Sequence, residues 1–292
     1  MKPYRIPELA KKYIEHDMIE AHTELPDFPD SRVRLLFAFL ANQRTPLLHS
    51  ELYALVASLV QLGMDTHDLI DADSMRVQER EMRSRQLKVL AGDYYSSRFY
   101  QLLSQAGQVD MIRRISNGVC EVNRLKVNLY LRMKQLKLTA EEYISQCVQL
   151  KTELFHAFTD SLDEKMARVW TELLQGFGRC EVVLDELHRS EKPERFDGSW
   201  GYWHVLNNGT EEEKRKLSDQ QSEPSFAQSL LAKYDIRQQL SELLKQSAAL
   251  VQTAVARVDS DKLVRELNGI LETFTTPLVP AASAATAQGE RR

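Results

Sequence analysis

Four side chains able to hold a cation crowd the end of one apolar stretch: Asp65, His67, Asp68 and Asp71. On a helix, positions i and i+4 share a face, so His67 and Asp71 stand together, while Asp65 and Asp68 form an i,i+3 pair a turn earlier. Asp68 points about 100° away from His67 and substitutes poorly for it. Carboxylates on one helix face can hold Mg²⁺, which takes hard oxygen ligands in octahedral geometry. Imidazole suits zinc or copper better, so His67 weakens this face as a magnesium seat. No second His or Cys has helical ligand spacing to His67, which argues against zinc. The cluster also reads as the polar end of a helix before a charged stretch.

Helices must position these residues. The chain has 292 residues, 43% hydrophobic and 27% charged, enough for one large core or two modest ones. With 11 Gly and 9 Pro it accommodates long helices. The formal net charge of −4 gives no basic excess, so no nucleic-acid partner is expected. The N-terminus lacks a signal-like apolar core, and no segment reaches the roughly 18 unbroken apolar residues of a membrane span. Cys120, Cys147 and Cys180 are scattered, without a CxxC pair; they read as small buried hydrophobes in a reducing cytoplasm.

Residues 1–30 read as a short helix and loop ending in LPDFPDS, with a helix starting at Ser31. Val33, Leu35, Leu36, Phe37, Phe39 and Leu40 are too dense for an exposed helix, and the stretch after Glu51 is apolar on most faces. Both belong in the middle of a bundle. Thr139 followed by Glu141 and Glu142 resembles a helix start. The expected organisation is one all-α domain over 31–275, an irregular insertion or loop at 190–225 rich in turn formers and charge, with a helix through 200–209 as the alternative, and a disordered tail at 276–292.

The stretch 57–104 resembles the trans-isoprenyl diphosphate synthases. His67-Asp68-Leu69-Ile70-Asp71 is an altered Asp-Asp-x-x-Asp motif, Arg76 falls where its following arginine would be, and Val89-Leu90-Ala91-Gly92-Asp93-Tyr94 is nearly intact. Lys151-Thr152 resembles the Lys-Thr phosphate contact. Order and spacing agree over roughly residues 30–190. The stretch from Asp65 through Tyr130 is similar, more narrowly, to the small, non-catalytic component 1 subunits of bacterial two-component heptaprenyl diphosphate synthases.

That resemblance implies an isoprenoid-synthase-like helical bundle with a degenerate catalytic site and no catalytic residues of its own. His67, Asp68, Asp71, Arg76, Lys151 and Thr152 would be the relic of a diphosphate and magnesium site. Leu62 and Gly63 would line a growing-chain tunnel, a helix-packing contact being the equal alternative for Gly63. A second acidic motif is judged absent from Phe177–Glu186, where Arg179 and two valines replace acids, and a basic motif survives as Arg32 and Arg34 alone. Arg32, Arg34 and Arg76 read as surface or interface charges. The resemblance places Tyr94, Tyr95, Arg98, Phe99, Met111 and Arg114 against a partner, and interfaces do favour aromatics, Met and Arg.

The implied function is support of a catalytic component 2 subunit. That partner would carry Mg²⁺ and condense isopentenyl diphosphate onto farnesyl diphosphate for the menaquinone side chain, while this chain alone binds no cofactor. Prenyl diphosphates would be met through the complex. The alternatives are a self-sufficient divergent trans-prenyltransferase and a helical adaptor without prenyl chemistry.

Overall fold

The computed structural model describes residues 3–43, 49–70, 79–219 and 222–276, apart from the side chain of Arg80. Every regular element among them is helical: Ile6–Ile14 (α1), Asp17–His22 (α2), Asp30–Ala41 (α3), Ser50–Asp68 (α4), Glu79–Gln105 (α5), Val109–Lys134 (α6), Ala140–His156 (α7), Glu164–Arg189 (α8), Trp200–Asn208 (α9), Glu211–Asp219 (α10), Pro224–Lys233 (α11), Ile236–Val255 (α12) and Asp261–Thr275 (α13), with short 3₁₀ turns at Thr159–Ser161 and Pro193–Arg195. No helix among the described residues is long and apolar enough to cross a membrane. Where one domain was expected over 31–275, the chain forms two compact units, Met1–Glu121 with Glu153–Trp170, and Val122–Thr152 with Thr171 onward. The expected disordered tail lies outside the described residues from 277.

The first unit is built around α3 and α4. Val33, Leu35, Leu36, Phe39 and Leu40 are fully enclosed, as are Ala54, Val56, Leu59 and Val60, which matches their lack of a polar face. Phe39 meets Trp170 edge-on, with ring centroids 5.2 Å apart. Arg32, expected at the surface, is 2% exposed, its guanidinium 5.4 Å from the Phe155 ring. The N-terminal region forms two short helices, α1 anchored by buried Ile6 and Ala10. Tyr4 donates to Asp30 Oδ1 at 2.6 Å, tying this region to the start of α3.

The crossing of α4 and α5 is close. A Cβ on Gly63 would fall 2.9 Å from the Gly92 carbonyl oxygen and 3.1 Å from the Ser96 nitrogen. Backbone therefore meets backbone, and only a residue without a side chain fits. Leu62, Ala91 and Tyr95 interlock beside this contact, with Ile14, Ile19 and Leu25 packed over them.

In the second unit α7 opens with a capping box. Glu142 N–H donates to Thr139 Oγ1 at 3.1 Å and Thr139 N–H donates to Glu142 Oε2 at 2.8 Å. The segment 190–225, expected to be irregular, contains α9 and α10. Trp200, Tyr202, Trp203 and Val205 are buried at helical spacing, and Ser199 caps α9 by accepting from Tyr202 N–H at 3.2 Å. The turn formers are concentrated just ahead of it, where Gly198 takes φ +69°. Phe177 and Phe274 pack with centroids 6.2 Å apart, next to the buried stripe Leu263, Leu267 and Ile270 of α13.

Two outcomes are expected. Gly63→Val drives a branched side chain into α5 backbone and should cost about 1–3 kcal/mol of unfolding free energy, measured by urea titration. Glu213 accepts from Lys233 Nζ, Thr210 N–H and Tyr234 Oη, contacts led by the Lys233 bond, and its carboxyl falls from 4.5 to about 2. A carboxylate lowered in the folded chain stabilises it above the unfolded value of 4.5, and this is lost as pH falls toward about 2. The fall in melting temperature between about pH 7 and about pH 3 should therefore be smaller in Glu213→Gln than in the parent chain.

Candidate functional site

In the first unit α4 carries Asp65 and His67 half-buried and Asp68 exposed on its last turns. The His67 ring lies against Gly92, where a Cβ would stand 2.7 Å from Nε2, and that nitrogen is 3.2 Å from Asp93 Oδ1. Asp65 Oδ1 accepts from Gln61 Nε2 at 2.8 Å. Asp71 and Arg76 lie outside the described residues. The stretch Ala91-Gly92-Asp93 thus acquires a physical reading: Ala91 fills the core, Gly92 admits the imidazole, and Asp93 meets it. Leu62 and Gly63, expected to line a tunnel, are a core side chain enclosed by Ala91 and Tyr95 and a helix-crossing contact.

In the second unit Lys151 reaches from α7 to α8, its Nζ 3.0 Å from Glu181 Oε1 and 2.8 Å from Asp185 Oδ2. Thr152 is 0% exposed. Its hydroxyl donates to the Val148 carbonyl at 2.9 Å and accepts from Gln175 Nε2 at 3.1 Å. Its methyl group occupies the space above Gly178, where a Cβ would lie 2.6 Å away. The stretch read as lacking an acidic motif does place two acids, Glu181 and Asp185, four residues apart on one face of α8. The intervening valines hid that spacing, because Val182 and Val183 turn into the core.

The part of the chain that carries these residues matches a known family. The profile described as heptaprenyl diphosphate synthase (HEPPP synthase) subunit 1 matches residues 16–194, more than half of the chain. This chain belongs to the heptaprenyl diphosphate synthase subunit 1 family. A relative from Geobacillus stearothermophilus, heptaprenyl diphosphate synthase component 1, is 42% identical over 72 residues, which is 25% of this chain and 30% of that relative's length. In fold, the chain is similar to a decaprenyl diphosphate synthase from Rhodobacter capsulatus, at TM-score 0.70 and 15% identity over 94% of this chain and 95% of that one. It is also similar to heptaprenyl diphosphate synthase from Staphylococcus aureus, at TM-score 0.67 and 13% identity over 93% and 96%.

Prenyl diphosphate synthase chemistry raises the question of magnesium. The donors described in this member of the subunit 1 family do not fit that ion. The leading position of the first cluster is an imidazole directed at Asp93, and the acid pair on α8 is engaged by an ammonium group. Among the described residues no group of three or more His, Cys, Asp or Glu could hold a metal.

The expected partner-facing residues separate into two sets. Tyr95 and Met111, 0% and 4% exposed, are interior and leave the partner face. Tyr95 Oη donates to the Ile14 carbonyl at 3.2 Å, and burial pushes its phenol up to about 12. Tyr94, next in sequence, points outward, and Arg98 lies 4.4 Å over its ring. Phe99 is half-buried, and Arg114 is half-buried beside Asp160 at 3.1 Å. Leu90 and Tyr100, outside the expected set, are 64% and 60% exposed on α5. In the second unit α6 exposes Val127, Tyr130 and Leu131.

Sequence reasoning missed a buried carboxylate network. Glu186 accepts from Tyr143 Oη at 2.9 Å and from Trp200 N–H at 2.7 Å, so it anchors the start of α9 to α7 and α8. Arg189 lies 3.4 Å from it and donates to the Arg195 and Asp197 carbonyls. Cys147, beside this network, is an inert thiol, pushed up to about 12 by burial first and then by the Glu186 charge. Glu186→Leu strands the Trp200 N–H and the Tyr143 hydroxyl and should cost about 1–3 kcal/mol in urea denaturation. Glu186→Gln keeps an acceptor and should lose less.

Proposed function

We propose that this chain is the non-catalytic, regulatory subunit of a heterodimeric heptaprenyl diphosphate synthase. The observation that carries the reading is the commitment of Lys151 and Thr152. The lysine is spent on Glu181 and Asp185, and the threonine is sealed against α8. Neither is presented to a diphosphate. Ionising an allylic diphosphate needs metal ions and cations aimed at the departing pyrophosphate, and the described donors of this chain do not supply that set.

In this reading a catalytic component 2 subunit brings the Asp-rich motifs and Mg²⁺. It condenses isopentenyl diphosphate onto farnesyl diphosphate, and the heptaprenyl product becomes the menaquinone side chain. The present chain contributes a packing face. Leu90, Tyr94 and Tyr100 on α5 supply exposed apolar and aromatic surface, with Arg98 stacked on Tyr94. The complex works in the cytoplasm, which accords with three free cysteines.

The test is reconstitution. The purified chain with farnesyl diphosphate, isopentenyl diphosphate and Mg²⁺ should form no product, and the chain co-expressed with its catalytic partner should elute as one complex that does. Product from the chain alone would establish the self-sufficient enzyme, and no complex with no gain of activity would establish the adaptor. The double variant Leu90→Glu, Tyr100→Glu should keep its helical circular dichroism and weaken the complex by at least about tenfold.

A further inference from the structure

In the second unit His204 of α9 stands in a frame of rings and one amide. Its imidazole is stacked on Trp200, with centroids 4.9 Å apart, and meets the Tyr234 ring edge-on at 6.2 Å. Its Nε2 lies 3.3 Å from Gln239 Nε2, and that same amide nitrogen donates to the Tyr234 carbonyl at 2.8 Å. The second contact decides the first. A carbonyl oxygen only accepts, so the end of Gln239 that touches it is the NH₂ group, and the ring nitrogen facing that group must accept too. His204 is therefore neutral, with its proton on Nδ1. The backbone held by this amide is strained: Asp235, directly after Tyr234, takes φ +46° at the joint of α11 and α12.

The charged groups of the elements packed here are matched to one another. On α10, Glu213 accepts from Tyr234 Oη at 2.8 Å and pairs with Lys233 of α11 at 2.6 Å. On α12, Arg237 pairs with Glu191 at 2.9 Å, and Asp235 sits at the joint itself. Burial, and none of these charges, lowers the His204 pKa from its ordinary 6.5.

We infer that His204 is an acid-sensitive latch on the joint between α11 and α12. Neutral, it accepts from Gln239 and leaves that amide on the Tyr234 carbonyl. A proton on Nε2 sets donor against donor. The amide then keeps the carbonyl and expels the ring from Trp200, or turns its oxygen to the ring and lets the carbonyl go. Either way a tie between α9 and the joint is lost. The fold favours the neutral ring, so the latch is fully closed above the unfolded value of 6.5 and opens as pH falls through the lower folded value. This device goes beyond the subunit assignment and is read on the isolated chain, so its failure leaves the reconstitution assay untouched.

The experiment is hydrogen exchange of the full chain read by mass spectrometry at about pH 7.5 and about pH 5.5, with rates corrected for the pH dependence of the exchange chemistry. Peptides covering α9 and residues 234–240 should exchange at least about tenfold faster in acid. His204→Gln offers Gln239 an acceptor that takes no proton, and should remove the difference. His156, also lowered by burial, belongs to the first unit, and Glu213 titrates between 4.5 and about 2, so neither moves these peptides in this window. Equal protection at both pH values in the parent, or acid loosening that persists in His204→Gln, overturns the latch. Should His204→Gln not fold, Gln239→Leu decides. Without the shared amide the joint should exchange fast at both pH values, and a joint that stays acid-sensitive overturns the proposal.

Discussion

The first unit depends on one steric condition: α4 and α5 touch through their backbones at Gly63 and Gly92. Packing ordinary side chains between two helices keeps their axes 8–10 Å apart, as a general rule. Two missing side chains at one crossing bring the backbones into direct contact, and much nearby geometry follows. The His67 imidazole can lie down on α5 because Gly92 leaves room, and so it meets Asp93. Leu62, Ala91 and Tyr95 fall into register as a compact apolar cluster. The last turns of α4 around His67 and the Ala91-Gly92-Asp93 stretch of α5 are two sides of the same seam.

The second unit is organised by charges brought in from water and matched one by one. Glu186 is enclosed, which is tolerable because a hydroxyl, a backbone N–H and a guanidinium converge on it. Lys151 is less enclosed and spans two acids. Groups paired this way hold helices α7, α8 and α9 in place. Releasing the groups that converge on Glu186 would leave a buried carboxylate without its partners.

What the sequence made legible is what local pattern encodes. The unbroken apolar runs of α3 and α4 announced their interior position, and Thr139 with Glu142 marked the start of α7. The segment 190–225 was misread because Gly198 and the charged residues around it outweighed four apolar side chains at helical spacing. Tyr95 and Met111 were misplaced for a different reason. An aromatic pair such as Tyr94-Tyr95 straddles two faces of a helix, and composition does not say which ring turns inward; the Ile14 carbonyl settles it. Arg32 looked like a surface charge because charged residues are seldom buried, yet it sits over Phe155. Lys151 and Thr152 were singled out by their position in the chain, but the acids that pair with the lysine lie 30 residues or more further along, and no local rule connects them.

The hydrogen bond from Tyr95 to Ile14 spans 81 residues, and the cluster it closes includes Ile14, Ile19 and Leu25. The two ends of this N-terminal strap differ in what they wait for. α1 packs on α3 and α4, and Tyr4 reaches Asp30 at the start of α3, so its anchor is at hand once those helices exist. The stretch from Ile14 through Leu25 closes only over α5, so in a chain made in sequence order the strap is pinned at one end before it can shut at the other.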